Sequence, residues 1–275
     1  MRSSRMDLHG KQIVLTGASS GIGRALAVAL AEKGAILVLA ARRRALLDGL
    51  AEEVEAAGHQ RPTVVDTDLS TTGAAESLGR HALSVLGGTV DVLINNAGAS
   101  VTGPQSLIGD SAQARNLFEV NVWSPLALTA TLLPSMMAAG SGVIVNVTST
   151  VQAVPLPLLG YYGASKAALA QATRSLRLEL AETPIRVVEV VPGSTDTALR
   201  DIDELPWKKA PPRTLPPVSP KSTAAAVVRA LQRGSIRVVY PSYSLLPLEL
   251  PAVGRLVAAI GGRRVNTRDA LDWPA

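Results

Sequence analysis

The chain has no cysteine among its 275 residues, so a disulfide framework and a thiolate metal site are both excluded. Its three histidines, at positions 9, 59 and 81, are scattered, and none stands at metal-ligand spacing from another. The first residues, MRSSRMDLHGKQ, lack the apolar core of a signal peptide. These absences disfavour a metalloenzyme and a secreted protein, and we expect a cytoplasmic location.

Aromatic residues are also scarce, at 3% of the chain, and they do not interleave with the basic residues. The formal net charge is +5 at pH 7, but no recognisable nucleic-acid module accompanies it. Hydrophobic residues make up 47%, which is enough to bury a sizeable core and excludes a disordered chain. We therefore expect a folded protein that acts on a small molecule and binds no nucleic acid.

Seven short apolar runs, rich in β-branched residues, alternate with longer segments rich in alanine and leucine. Nearly continuous apolar residues are typical of strands buried on both faces. Strands that alternate with helices predict a parallel sheet covered on both sides, and no repeat or linker divides the chain. The prediction is a single-domain, doubly wound α/β fold with about seven strands. The runs are QIVLTG (12–17), AILVLAA (35–41), PTVVDTDL (62–69), VDVLINNA (90–97), GVIVNVTS (142–149), IRVVEVVPG (185–193) and IRVVYP (236–241).

A glycine-rich turn, TGASSGIG (16–23), stands between the first strand and the first helix. Its glycines allow a tight turn and a close approach of the backbone to a pyrophosphate at the helix N-terminus. Taken alone the turn is weak evidence, because a strand-to-helix connection without a ligand has the same composition. Ligands of such sheets bind beyond the carboxyl ends of the strands, so the residues that follow each run matter most.

Several of those residues form one pattern with the glycine-rich turn. NNAG (95–98), Asn121 in VNVWSP, Ser149 in NVTST, YGASK (162–166) and PGSTDT (192–197) together resemble the short-chain dehydrogenase/reductase family over roughly residues 10–240. Ser149 lies thirteen residues before Tyr162, as the family expects. The resemblance implies a Rossmann-type domain that uses NAD(P)(H) to interconvert alcohols and carbonyls, in a homodimer or homotetramer.

Tyr162 and Lys166 are four residues apart, so on a helix they project from the same face. Lowering the pKa of a tyrosine, ordinarily about 10, by about three units requires about 4 kcal/mol. One cation about 4 Å away provides that much at an effective dielectric near 20. An isolated pair of this spacing is more often a packed tyrosine and a solvated lysine, and the other motifs favour catalysis. Tyr161 is five residues from Lys166 and points elsewhere.

The other two catalytic candidates are Ser149 and Asn121. Ser149 ends a strand, where its hydroxyl could bind the substrate oxygen, although Thr148 or Thr150 could serve a strand end equally well. Only the family spacing selects Ser149. Asn121 falls in a predicted helix, where an asparagine is unfavourable. The resemblance implies that it holds a water connecting the lysine to solvent, and a satisfied buried amide is the alternative.

The resemblance also implies the cofactor contacts. Asp68 would lie beside the adenine and Asn95 in the cofactor cleft, whereas as turn and cap formers neither needs a function. Thr195 and Thr197 would lie near the nicotinamide amide. The full predicted set is Gly17, Ser19, Ser20, Gly21, Ile22, Gly23, Arg42, Asp68, Leu69, Asn95, Ala97, Gly98, Tyr162, Lys166, Pro192, Gly193, Thr195 and Thr197.

The end of the second strand, LAARRR (39–44), predicts a preference for NADP(H) over NAD(H). NAD-dependent relatives commonly have an acid there, which would repel a 2′-phosphate, whereas this chain has Ala41. Cations at a helix start are unfavourable by about 0.3 to 1 kcal/mol each unless an anion is nearby. The resemblance favours Arg42 as the cation that faces the phosphate, assisted by Ser19 or Ser20. The other two arginines, Arg43 and Arg44, are expected to be solvated.

Two loops and a tail complete the predictions. The loop VQAVPLPLLG (151–160) contains no ionisable residue, and a proline-rich segment at 199–220 has the length of a lid, so we expect a lipophilic substrate. Residues 1–240 form the predicted catalytic domain. The apolar tail, 241–275, packs on it or on a partner, with attachment to a membrane surface as the less favoured alternative. A non-catalytic NADP(H)-binding regulator is the alternative function, and sugar-nucleotide epimerase chemistry is disfavoured by the glycine spacing.

Overall fold

A seven-stranded, wholly parallel sheet forms the centre of the computed structural model, which describes residues 6–196, 205–208 and 217–268. The strand order is β3-β2-β1-β4-β5-β6-β7, so the order reverses between β1 and β4. The strands are β1 Gln12–Thr16, β2 Ile36–Ala41, β3 Thr63–Asp66, β4 Val92–Asn95, β5 Gly142–Val147, β6 Ile185–Pro192 and β7 Arg237–Tyr240. All seven predicted strands are confirmed, as is the Rossmann-type fold class.

Helices cover both faces of the sheet and enclose two large apolar clusters. One cluster lies under α1, α2 and α8, and the other lies under α3 and α6. The helices are α1 Gly21–Ala31, α2 Arg44–Ala56, α3 Ala74–Val85, α4 Gln105–Ile108, α5 Ala112–Phe118, α6 Ser124–Ala138, α7 Gly160–Glu179, α8 Pro220–Arg233, α9 Leu245–Glu249 and α10 Pro251–Arg264. A π-helical turn, Glu119–Trp123, joins α5 to α6 without a break.

The prediction that every strand is buried on both faces is wrong for β3. None of its four residues is buried, because β3 forms one edge of the sheet and has a neighbour on one side only. The opposite edge strand, β7, buries only Val238. The interior strands follow the prediction, since all six residues of β5 are buried.

The C-terminal helices pack beside the loop at residues 151–160. A small apolar cluster joins this loop to residues beyond α10, and its buried members are Leu158, Leu159, Leu205 and Val265. Most of the predicted lid at 199–220 lies outside the described residues. No single described helix is long and apolar enough to cross a membrane. Two segments that meet at a bend, Ser242–Glu249 and Pro251–Arg264, have the required length and apolar composition only when taken together.

Candidate active site

The glycine-rich turn after β1 is held tightly against the loop after β4. A Cβ atom on Gly17 would lie 2.7 Å from the Cα of Ala97, and one on Gly23 would collide with the carbonyl oxygen of Gly17. The hydroxyl of Thr16 accepts hydrogen bonds from the backbone N–H groups of Asn96 and Ala97, at 3.1 and 3.0 Å. Only glycine fits such a close backbone approach.

The N-terminus of α1 follows this turn and has free capacity for an anion. Ser20 is the N-cap residue, but its side chain makes no capping hydrogen bond, and the first turn contains no acidic residue. The helix begins at Gly21, and Ile22 packs against the core. Uncapped N–H groups and the positive end of the helix dipole suit a phosphate group. The cradle therefore fits the pyrophosphate of a dinucleotide.

The three consecutive arginines after β2 differ in their surroundings. The guanidinium of Arg43 donates hydrogen bonds to the hydroxyls of Ser19 and Ser20, at 3.1 and 2.8 Å. Arg44 forms an ion pair with Asp48 one turn along α2. Arg43 is thus the arginine that contacts the two serines, whereas the prediction paired them with Arg42 and expected Arg43 to be solvated.

Arg42 lies instead on the side of Asp68. Hydrogen bonds from the backbone N–H and the hydroxyl of Ser70, with the nearby charge of Arg42, hold the pKa of Asp68 below its ordinary value despite partial burial. Leu69 is buried, and its carbonyl accepts a hydrogen bond from Ser124 at 2.8 Å. Arg42 and Asp68 therefore flank one edge of the predicted cofactor cleft.

The side chain of Asn95 is directed into the protein and not towards the glycine-rich turn. The side chain is 2% exposed, and its amide nitrogen donates to Asn146 on β5 at 2.8 Å. Asn146 in turn donates to Thr173 on α7 at 2.9 Å. Successive strand residues face opposite sides of a sheet, so the next residue, Asn96, is the one that reaches the glycine-rich turn. Asn95 can offer the cleft only its backbone, as can Ala97 and Gly98 after it.

Asn121 lies at the centre of the π-helical turn and is completely buried. Its side-chain oxygen accepts from the backbone N–H of Ala99, and its nitrogen donates to the carbonyl of Ala99, both at 2.8 Å. The same nitrogen donates to the hydroxyl of Ser165 on α7 at 2.9 Å. The wider turn accommodates a residue that disfavours an α-helix, and π-turns are frequent at functional sites. Asn121 thereby joins the loop after β4 to α7.

Tyr162 and Lys166 lie on one face of α7, with the Nζ atom of Lys166 5.9 Å from the centroid of the Tyr162 ring. Lys166 is 3% exposed, and its ammonium donates to the carbonyl of Val147 at the end of β5, at 3.0 Å. Burial lowers the pKa of Lys166 to about 8. Tyr161 points elsewhere, as predicted, because its hydroxyl donates to the carbonyl of Gly109.

Ser149 lies two residues beyond the carbonyl that Lys166 contacts, and it is half-buried. It caps a short 3₁₀ turn, Thr150–Gln152, and its hydroxyl oxygen accepts from the N–H of Val151 at 3.4 Å. The competing hydroxyl of Thr148 is 2% exposed and donates to the carbonyl of Val190 at 3.1 Å. Of the hydroxyls of Thr148 and Ser149, that of Ser149 is therefore the one accessible to a substrate.

The turn that carries Ser149 rests on a residue that the sequence argument missed. Glu189 on β6 is 1% exposed, and its carboxylate accepts from Gln152 at 3.1 Å and from Thr148 at 3.4 Å. Arg237 on β7 lies 3.4 Å from the other carboxylate oxygen. A lone acid inside the apolar run IRVVEVVPG was the available signal, since a buried carboxylate requires partners.

The loop after β6 supplies the remaining predicted contacts. Pro192 ends β6, and the N–H of Gly193 donates to the carbonyl of Tyr240 at 2.8 Å. Thr195 is 7% exposed, and its hydroxyl donates to the carbonyl of Gly193 at 3.2 Å. Thr197 lies outside the described residues. The described part of this loop begins at the carboxyl end of the sheet, as the other loops of the site do.

Comparison with known proteins agrees with this arrangement. A family model described as "short chain dehydrogenase" matches residues 11–204. The ketoacyl reductase HetN of Nostoc sp. is 34% identical over 232 residues, covering 84% of this chain and 79% of that protein. A short-chain dehydrogenase/reductase of Burkholderia phymatum, solved in complex with NAD, has a TM-score of 0.78 at 25% identity, with 91% and 94% of the chains covered. A metagenomic short-chain oxidoreductase, solved with NADP, has a TM-score of 0.71 at 31% identity, with 85% and 97% covered.

Proposed function

This chain belongs to the short-chain dehydrogenase family, and on that premise we propose that it is an NADP(H)-dependent oxidoreductase. It interconverts a lipophilic ketone or aldehyde and the corresponding alcohol. The observation that carries this proposal is the pairing of Tyr162 with a buried Lys166, beside the end of the strand that leads to Ser149. A regulator that only bound the cofactor could use Lys166 as a cofactor contact, but it would have no need of Tyr162, Lys166 and Ser149 together.

The proposed cofactor site consists of the glycine-rich turn, the start of α1 and the loops after β2, β3 and β4. The backbone of Gly17 to Gly23 holds the pyrophosphate, while Arg42 and Arg43 face the 2′-phosphate of the adenosine ribose. The nicotinamide, when bound, supplies or accepts the hydride. NAD and NADP occupy two of the solved relatives, so the cofactor class rests on the family and the choice of NADP rests on the arginines.

In the proposed reaction the chain supplies a proton and an oxygen-binding group. The hydroxyl of Tyr162 donates its proton to the carbonyl oxygen as the alcohol forms, while the hydroxyl of Ser149 binds the same oxygen. The ammonium of Lys166 favours the resulting phenolate electrostatically. Asn121 holds α7 against the loop after β4, and this contact fixes the helix that carries Tyr162 and Lys166.

The proposed lipophilic substrate follows from the loop beside Ser149. Residues 151–160 contain no ionisable side chain, and the polar Gln152 is engaged with Glu189. Leu158 and Leu159 are buried in the apolar cluster that includes Leu205. A loop of this composition offers a ligand apolar contacts and few polar groups. A ketone or aldehyde with an apolar body suits such contacts, and its one oxygen needs only the hydroxyls of Ser149 and Tyr162.

Arginine substitutions test the proposed preference for NADP(H). We expect Arg42→Ala and Arg43→Ala each to weaken NADPH binding about 10- to 100-fold, because a charged hydrogen bond contributes about 1.5 to 3 kcal/mol. NADH binding should change little, since NADH lacks the 2′-phosphate. Dissociation constants from titrations of nicotinamide fluorescence give both values.

Arg44→Ala is the matched control for this measurement. Arg44 is exposed like its neighbours, but its guanidinium is paired with Asp48. The Arg44→Ala protein should bind both cofactors as the parent does. Equal NADPH and NADH affinities in the parent would refute the preference, and so would equal effects of all three substitutions.

The experiment that tests the proposed activity measures NADPH and NADH oxidation with a panel of ketones and aldehydes. We expect turnover with apolar carbonyl compounds, faster with NADPH than with NADH. A strong preference for small carboxylated or phosphorylated compounds would contradict the lipophilic substrate. The protein could bind NADPH without oxidising it in the presence of any carbonyl compound, and without reducing NADP in the presence of the corresponding alcohols. That result would favour the non-catalytic regulator. The cytoplasmic location and the homodimer or homotetramer stay predictions.

A further inference from the structure

The C-terminal helices carry a concentration of exposed apolar side chains. Seven of the fourteen large apolar side chains that are exposed in the described residues lie between positions 243 and 260. We call them the C-terminal apolar face: Tyr243, Leu245, Leu246, Leu250, Leu256, Val257 and Ile260. Single exposed apolar residues are normal on a protein surface, whereas a concentration of them in one short segment is typical of an interaction site.

Helix α10 has two different sides, and only one of them is packed on the protein. A Cβ atom on Gly254 would lie 3.2 Å from the carbonyl oxygen of Ala153, and one on Gly261 would lie 2.9 Å from a methyl of Leu156. The glycines therefore bring α10 close to the loop at 151–160. On the outer side, Leu256 is 60% exposed and Ile260 is 47% exposed. The apolar side chains that could have packed inward are directed to solvent.

Basic residues accompany the apolar face. Arg255 and Arg263 are exposed on α10, and Arg268 is exposed just beyond it. No acidic residue lies between positions 250 and 268, and Glu249 is paired with Arg237. The acidic residues Asp269 and Asp272 come later in the sequence, outside the described residues. Within its described part, this surface combines apolar side chains with uncompensated positive charge.

We propose that the C-terminal apolar face docks on an anionic lipid surface. Leucine and isoleucine side chains that insert between lipids while arginines contact the headgroups are a common means of binding such a surface. A second copy of the chain fits less well, because a symmetric contact between two identical faces brings arginine near arginine. Neither helix crosses the membrane in this arrangement; α9 and α10 meet at a bend of 103° and lie along the surface.

Docking of this kind would bring the lipid surface close to the proposed substrate loop. Helix α10 rests on the loop at 151–160, and its C-terminal end bonds to residues 206–208, so this helix would stand between the lipid and the loop. A lipophilic substrate dissolved in the bilayer would then have a short path to the site. This consequence rests on the proposed function, whereas the docking itself does not.

Vesicle flotation tests the proposal without using activity. The full chain is mixed with phosphatidylcholine vesicles that contain or lack phosphatidylglycerol. We expect flotation mainly with the anionic vesicles, and less of it as salt is raised. Leu256→Glu with Ile260→Glu should abolish flotation. The matched control, Leu46→Glu with Val85→Glu, changes side chains that are 47% and 44% exposed on α2 and α3, and it should float like the parent.

A second pair of substitutions separates the charge from the apolar contact. Arg255→Gln with Arg263→Gln leaves every apolar side chain in place, and it should remove the preference for anionic vesicles. Thermal unfolding of each variant checks that it is folded. Failure of the parent to float with anionic vesicles would overturn the proposal, as would normal flotation of the Leu256→Glu, Ile260→Glu protein.

Sedimentation without vesicles measures the mass of the assembled protein and so tests whether a second copy of the chain covers this face. If Leu256→Glu with Ile260→Glu lowers the mass of the assembled protein, the face is an interface between copies and the lipid proposal is wrong. We expect the mass to be unchanged. Flotation combined with no turnover of any carbonyl compound would refute the proposed function and leave the docking surface intact, so the two proposals fail separately.

Discussion

Replacement of Tyr162 by phenylalanine should abolish turnover while leaving the protein folded and able to bind its cofactor. The two rings pack alike, but phenylalanine has no proton to donate to the substrate oxygen. A positioned general acid contributes about 10²- to 10⁴-fold to a rate, so we expect a loss in that range or greater. Steady-state rates with the best carbonyl substrate of the panel, together with a cofactor titration, give both quantities.

Tyr161→Phe is a closely matched control for this substitution. Tyr161 occupies the adjacent position in α7, but its hydroxyl donates to the carbonyl of Gly109 instead of facing Lys166. We expect this variant to keep its rate within about tenfold of the parent, because a local hydrogen bond of this kind contributes about 1 kcal/mol. Activity of Tyr162→Phe within tenfold of the parent would show that the assignment of the proton donor is wrong.

Replacement of Lys166 by methionine should have two opposite effects, a loss of turnover and a gain in stability at neutral pH. Lys166 is 3% exposed, and burial lowers its pKa to about 8. Keeping the ammonium charged in the folded protein at pH 7 therefore costs about 3 kcal/mol relative to the unfolded chain. Methionine fills a similar volume without a charge, so we expect a gain of about 1 to 3 kcal/mol in the free energy of unfolding.

The stability difference between the parent and Lys166→Met should depend on pH, and its direction follows from the lowered pKa of Lys166. Between pH 8 and the ordinary lysine pKa near 10.5, the unfolded chain holds a proton on Lys166 that the folded protein has released. Stability rises with pH wherever the unfolded state binds more protons, so the parent gains stability across this window and Lys166→Met does not. The difference between the two proteins should be largest below pH 8 and should shrink towards pH 10.5.

Denaturant unfolding at several pH values measures this difference, because other titrating groups cancel between parent and variant. Lys33→Met, which changes an exposed lysine after α1, serves as the control and should alter neither stability nor turnover. A Lys166→Met protein that is less stable than the parent at pH 7 would contradict the argument. So would a stability difference that stays constant from pH 7 to pH 10.5.

The fold class and the placement of Tyr162 and Lys166 on one helix face followed from the sequence because both depend on local regularities. Continuous apolar runs of the right length identified all seven strands, since strands of a parallel sheet are covered on both faces. The spacing of Tyr162 and Lys166 is a property of any helix and needs no tertiary information. The helical assignment around Asn121 was correct for the same reason.

Other features depend on which segments pack next to each other, and local sequence patterns do not show this. Thr63–Asp66 resembles an interior strand, and only the strand order places it at an edge. Alternation along β4 separates the faces of Asn95 and Asn96, but the helices packed on the sheet decide which face is the cleft. The contact of Arg43 with Ser19 and Ser20 depends likewise on how α1 and α2 are set against each other.

The C-terminal part of the chain shows the same division most clearly. Composition alone identified an apolar tail interrupted by prolines and arginines, which left packing and surface attachment as alternatives. Hydrophobic burial depends on contacts between distant segments, so only the tertiary structure decided that the glycines of α10 face the loop at 151–160 while Leu256 and Ile260 face solvent. The sequence by itself determined which side chains were available, and the packing of the helices determined which of them remain exposed.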